Sequence, residues 1–221
     1  MPTVQGTVLA AARAFLGDSA RLVGASRTDA GVHALRQTAS LATESTLDTG
    51  AIGRALNARL PADIRVSQVL DAPRDFDARR RALGKRYGYV IDGRPVASPL
   101  LRRYAWHVPQ PLDVAAMRAA LAAVRGRHDF SAFRAAAGRD ALPHCHVRAV
   151  HVLRRRACIA IVISADRFLH HMARNLVGSA VAVGRGAHDP DWMGQILKSR
   201  DRRRAGATAP AHGLTLLRVL Y

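Results

Sequence analysis

Apolar residues recur at helical spacing from the start of the chain: Val4, Val8, Ala12 and Phe15 line one face of a segment that Thr3 can cap and Gly17 can end. Alternation of apolar and polar positions then predicts strands over Arg21 to Ala25 and Leu35 to Thr43. A second helix is predicted from about Leu47 to Leu60, with Leu47, Ala51, Ala55 and Leu56 on one side and Pro61 as its stop. Ile64 to Ala72 alternates again and is predicted as a strand. The order is helix, two strands, helix, strand.

A similar order follows in the second part. Arg86 to Asp92 reads as a strand with Tyr87, Tyr89 and Ile91 on one face, and Asp113 caps a helix carrying Val114, Met117, Leu121 and Val124. Val147 to Leu153 and Ala157 to Ala165 form a predicted hairpin. Phe168, Met172, Leu176 and Ala180 recur at helical spacing over Arg167 to Val183, and a shorter helix opens at Asp189-Pro190 with Trp192, Ile196 and Leu197. Leu214 to Leu220 alternates as a last strand. This is the plan of an α+β protein, with helices on one side of an antiparallel sheet. It divides the chain into an amino-terminal subdomain, residues 1–75, and a carboxy-terminal subdomain, residues 76–221.

Charge narrows the partner. The chain of 221 residues carries 34 Lys and Arg against 16 Asp and Glu, a formal net charge of +18. Lys85 and Lys198 are its only lysines, so arginine carries nearly all of the positive charge. An arginine-rich composition alone would not unbalance acids and bases in this way. The excess favours a polyanion, because neutralising phosphates releases counterions. Cys145 and Cys158 are too few for a disulfide framework, nothing resembles a secretory signal, and no apolar run approaches the roughly 20 residues needed to span a bilayer. The expected compartment is the cytoplasm, with no membrane partner.

The chemistry concentrates in Ser26-Arg27-Thr28-Asp29-Ala30-Gly31-Val32-His33-Ala34, a loop between two predicted strands. Residues so placed are held by a rigid sheet and often reactive. Asp29 is a candidate nucleophile beside Arg27. It is equally a turn residue that bonds backbone amides while Gly31 supplies a positive φ.

Arg27-Thr28-Asp29-Ala30-Gly31-Val32-His33 resembles the RTDAGVH signature of the TruA-type tRNA pseudouridine synthases. Further segments are similar in order: Asn57 to Ile64 resembles NxxLPxDI, Phe76 to Arg79 resembles FHAR, and Lys85 to Tyr89 resembles KxYxY. Asp129 to Arg134 is similar to DFxSFR, and Phe168 to Gly178 to FLxHMVRNIVG. The resemblance implies a pseudouridine synthase fold, in which two similar α/β-sandwich subdomains have antiparallel sheets flanking a central basic RNA-binding cleft. It implies a homodimer that isomerises uridine to pseudouridine at positions 38 to 40 of the tRNA anticodon arm, without cofactor or metal.

By the same resemblance Asp29 is the nucleophile and Arg174 its cationic partner, with Arg27 the alternative partner or a phosphate contact. A nearby guanidinium would favour the charged carboxylate. Tyr87 matches the family tyrosine that stacks on the extruded uracil, and Arg79 matches an arginine near the active cleft. A flipped nucleotide is required, at a cost of a few kcal/mol, because a stacked uridine cannot present its anomeric carbon. From periodicity alone Tyr87 is a core aromatic, as Tyr89 is.

Two departures stand out. The family places a strand and a YDG…GWQ loop ahead of the first helix, where Met1 and Pro2 leave no room, so a shortened amino terminus is expected. Asp140 to Arg148 replaces a shorter S/T-P-x-R segment. The alternative function is therefore an inactive RNA-binding relic; an aspartate-based glycosidase is a further one, whose carboxylate pair would have to be built from aspartates, since Glu44 is the sole glutamate, and Asp75 and Asp77 offer such a pair.

Other clusters read as structural. His144-Cys145-His146 is expected to be an irregular loop rather than a metal site. His170 and His171, adjacent on the predicted helix, should point to different faces. Arg79-Arg80-Arg81 can track an RNA backbone, whereas Arg154-Arg155-Arg156 and Arg202-Arg203-Arg204 are expected to mark a hairpin tip and a helix end.

Overall fold

The computed structural model describes residues 3–135 and 142–221. The chain forms two compact units: residues 1–27 with 37–82, and residues 28–36 with 83–221. The loop that carries Asp29 thus belongs with the second unit.

In the first unit, Thr3 caps α1 (Val4–Leu16) through its side chain to the Gly6 N–H, and Gly17 ends it. Asp48 caps α2 (Thr49–Arg59) at the Ala51 N–H. β1 (Arg21–Gly24) pairs antiparallel with β3 (Ala39–Ala42). Ala11, Ala12, Ile52, Leu56 and Leu60 form the core of this unit. The strand expected over Ile64 to Ala72 is not formed. Its apolar positions Ile64, Val66 and Val69 do pack on that core, which accounts for the alternation. At Val66 a side chain takes the backbone bonds that a neighbouring strand would have made: Asn57 Nδ2 donates to the Val66 carbonyl and Asn57 Oδ1 accepts from the Val66 N–H, both at 2.8 Å.

The second unit contains β2 (His33–Ala34), β4 (Gly84–Asp92), β5 (Trp106–His107), α3 (Val114–Ala122), β6 (Gly126–Asp129), β7 (His144–Arg155), β8 (Cys158–Ala165), α4 (Met172–Gly184), α5 (Trp192–Ser199) and β9 (Leu214–Leu220). Its sheet runs in the order β2-β9-β4-β8-β7-β6, with β5 appended to the end of β4. Most neighbours are antiparallel, as the hairpin pattern predicts. The short pairings β2 with β9 and β5 with β4 are parallel additions that periodicity did not reveal, because two residues hold no period. α3 packs against both α4 and β7. Tyr89, Ile91, Ile161 and Ile163 of the central strands and Met117 and Leu176 of the helices are fully buried. The architecture is α+β.

Three local expectations change. His144, Cys145 and His146 lie on β7, not in a loop, and burial pushes the Cys145 thiol up to about 11. Asp140 and Ala141, within the segment that departs from the family pattern, fall outside the described residues. The helix expected from Arg167 begins only at Met172, because His171 sits in the left-handed region at φ 62°. The arginine run does mark the hairpin tip: Arg154 and Arg155 end β7, paired with Ile159 and Cys158 of β8, and Arg156, at φ 54°, makes the turn.

Candidate active site

Asp29 opens a tight turn in which the Val32 N–H donates to the Asp29 carbonyl at 3.0 Å. Gly31, at φ 83°, occupies the third position, where a turn of this kind needs a residue that tolerates positive φ. The chain then enters β2, where His33 pairs with Thr215 and Ala34 with Leu216 of β9, and the Leu35 N–H donates to the Leu216 carbonyl at 2.9 Å. A further tie comes from His33, whose Nε2–H donates to the Arg103 carbonyl at 2.6 Å while its ring lies 4.8 Å from that of Tyr104. Sheet pairing and this side-chain anchor hold the loop at its carboxy-terminal end.

Arg174 stands in the first turn of α4. Its Nε donates to the Ala209 carbonyl at 2.8 Å and its NH1 to Asp29 Oδ2 at 2.9 Å. The guanidinium is therefore held at two points, and its remaining donor edge is aimed at the carboxylate. The side chains are 15% and 27% exposed, so the pair is shielded yet reachable.

Both histidines also converge on Asp29, which corrects the expectation that they diverge. His170 Nε2 lies 3.4 Å from Asp29 Oδ1, and His171 Nε2 lies 3.2 Å from Oδ2, with ring centroids 4.0 Å apart. The left-handed backbone at His171 removes the 100° helical rotation that would have separated them. Burial lowers the His171 pKa from its usual value; Asp29 opposes this, while His170, Arg174 and Arg202 add to it. Asp29, His170 and His171 bring three ligand-type atoms within 4.8 Å of one another. The Arg174 guanidinium already occupies the carboxylate, and its charge opposes a cation in the same place.

Tyr87 is buried on β4 and meets Phe168 edge to face, with centroids 4.9 Å apart. A bulge in the β4–β9 pairing falls between Arg86 and Tyr87, a device that re-aims side chains. Tyr89, taken as core from its pattern, is 1% exposed and donates to the Pro210 carbonyl at 2.8 Å. Arg27 and Arg79 belong to the first unit and are exposed. Among the described residues, the ion pairs of Asp29 are with Arg174, His170 and His171. Asp75 and Asp77 are not a catalytic pair: Asp75 pairs with Arg81, and Asp77 accepts from the Arg79 and Arg80 N–H groups at 2.8 Å. Sequence reasoning missed Arg202, Thr208 and Asn175, which gather behind Arg174; an arginine run in a polar segment carries no sign that one member turns inward.

An α+β sheet that presents a carboxylate clamped by an arginine, in a chain with this excess of positive charge, fits a protein that acts on a polyanion. A family model described as tRNA pseudouridine synthase matches residues 2–79 and 120–221. The tRNA pseudouridine synthase A of Myxococcus xanthus is 41% identical over 224 residues, covering 100% of this chain and 83% of the relative. That of Chloroflexus aurantiacus is 43% identical over 226 residues, covering 99% and 80%, and that of a Thermoanaerobacter species 40% identical over 219 residues, covering 99% and 90%. The chain belongs to the tRNA pseudouridine synthase family, a family of isomerases. No helix among the described residues is long and apolar enough to cross a membrane.

Proposed function

We propose that this protein isomerises uridine to pseudouridine in tRNA, at positions 38 to 40 of the anticodon stem-loop, with Asp29 as the nucleophile. The observation that carries the reading is the 2.9 Å contact between Arg174 and Asp29, which fixes one carboxylate in a partly shielded site. The bond from C1′ to N1 of the uracil breaks, and the base turns to offer C5 to the same carbon. N1 takes up a proton and C5 loses one, so the reaction needs no external reagent. Asp29 attacks the nucleotide at the sugar or the base and holds the detached fragment in place. This chemistry uses no cofactor and no metal.

The nucleotide enters the site flipped out of its stack, and Tyr87 supplies an aromatic face for the uracil. Arg27 and Arg79 contact the RNA, and the net charge of +18 draws the polyanion to the protein. The working form is a cytoplasmic homodimer. Purified protein incubated with unmodified tRNA, followed by detection of pseudouridine with and without a chelator, tests the reading. Asp29→Asn should abolish turnover while tRNA binding persists. Turnover that survives this substitution would exclude Asp29 as the nucleophile, and loss on chelation would exclude the metal-free reaction.

A further inference from the structure

After α5 the chain makes a short helical turn over Arg202–Arg204, capped by Asp201, whose side chain accepts from the Arg203 N–H. The run of arginines splits here. Arg203 faces outward and pairs with Asp201 at 3.0 Å. Arg202 turns inward: its NH2 donates to Asn175 Oδ1 at 3.1 Å and to Thr208 Oγ1 at 3.0 Å, and its NH1 to the Ala205 carbonyl at 3.2 Å. Among the described residues no carboxylate pairs with it. A guanidinium drawn in from solvent onto neutral oxygens alone is costly unless its fork geometry is used.

What the fork holds is the strap from Ala205 to Ala209. Asn175, the residue after Arg174, is fully buried and uses both ends of its amide: Oδ1 accepts from Thr208 Oγ1 at 2.7 Å as well as from Arg202, and Nδ2 donates to the Phe133 carbonyl at 2.8 Å. One turn along α4, Ser179 Oγ accepts from the Gly206 N–H at 3.0 Å. The strap then closes on Arg174 itself, whose carbonyl accepts from the Ala209 N–H at 3.2 Å and whose Nε donates to the Ala209 carbonyl at 2.8 Å. The carbonyl that aims Arg174 is thus supplied by a segment that Arg202, Thr208 and Asn175 hold down.

We propose that Arg202, Thr208 and Asn175 form a positioning device for the reaction: they fix the strap whose Ala209 carbonyl orients Arg174, and Arg174 in turn orients Asp29. This rests on the reading of Asp29 as the reacting group. None of the three touches Asp29, so their effect is on geometry. Small errors in the aim of a catalytic group are expensive in rate and leave remote substrate binding intact.

The test compares Thr208→Val, which keeps shape and loses the hydroxyl, with Thr208→Ser, which keeps the hydroxyl. Thr208→Val should lower kcat about tenfold, with KM for tRNA within about twofold of the parent, and Thr208→Ser should restore most of it. Arg202→Lys should fail to restore what Arg202→Gln loses, because one ammonium cannot reproduce the fork. A second readout is the Arg174 Nε–H resonance in nitrogen-15 spectra, identified by its absence in Arg174→Lys. It should move and exchange faster with water in Thr208→Val. Thr208→Val with parental kcat and an unmoved resonance overturns the proposal. So does an equal loss of kcat and thermal stability that Thr208→Ser leaves unrepaired, since that is a purely structural role. If the parent itself shows no turnover, the proposed function falls, while the Arg174 resonance still decides whether the strap orients this side chain.

Discussion

Arg174 reaches across 145 residues of sequence to donate to Asp29 at 2.9 Å, and its Nε–H is spent on the Ala209 backbone carbonyl. The contact is bidirectional in effect. It aims the guanidinium at one carboxylate oxygen and leaves the rest of that carboxylate facing the histidines and solvent.

Replacing Arg174 should therefore cost rate more than binding. Arg174→Lys removes the fork that serves Ala209 and Asp29 together, and kcat should fall by about a hundredfold or more, corresponding to ~3 kcal/mol. Single-turnover kinetics with saturating protein would measure it.

Asn57 does in the first unit what a strand would otherwise do. Asn57→Ala leaves the Val66 N–H and carbonyl without their partner at 2.8 Å. The expected loss is about 1–3 kcal/mol, read from urea unfolding as a lower midpoint at unchanged slope.

Gly178 lies where α4 meets the strap. A Cβ built there would come within 1.8 Å of the Ala207 carbonyl oxygen, a backbone atom that cannot swing away as a side chain would. Gly178→Ala should displace the strap and destabilise the protein by about 1–3 kcal/mol or more, with a lower melting temperature and reduced kcat.

The acid side of the stability profile should carry a mark of His171. Its pKa is lowered in the folded protein from the usual 6.5, chiefly by burial. As pH falls below 6.5 the unfolded chain therefore takes up this proton before the folded one does, and stability declines with falling pH until the folded pKa is passed. His171→Gln should flatten that part of the curve, measured by chemical unfolding at a series of pH values.

Binding to tRNA should weaken steeply with salt. A protein with a net charge of +18 that contacts several phosphates is expected to lose at least about tenfold in affinity between low and moderate ionic strength. Filter binding with unmodified tRNA gives the slope.

Elements with local causes were legible in the sequence. α1 runs from its Thr3 cap to Gly17 as the periodicity predicts, and the β7–β8 hairpin turns where its arginines mark the tip. The failures share a physical origin in contacts made from afar. Ile64 to Ala72 has the alternation of a strand, yet at Val66 the amide of Asn57 takes the backbone bonds. His171 lies in a segment of helical pattern, yet its left-handed backbone folds both histidines onto Asp29. The pairing of Asp29 with Arg174 has no local pattern and came into view only through family resemblance. Arg202 reads only as part of a run that marks a helix end, because nothing in its neighbours in sequence announces Asn175 and Thr208.

The parallel pairing of His33 and Ala34 with Thr215 and Leu216 has a consequence for synthesis. Chains are made from the amino terminus, so the Asp29 loop leaves the ribosome well before β9. The Asp29 loop has no β9 to dock on until that strand has emerged. Until then a growing chain, strongly basic and surrounded by RNA, carries the Asp29 loop without the strand that anchors it.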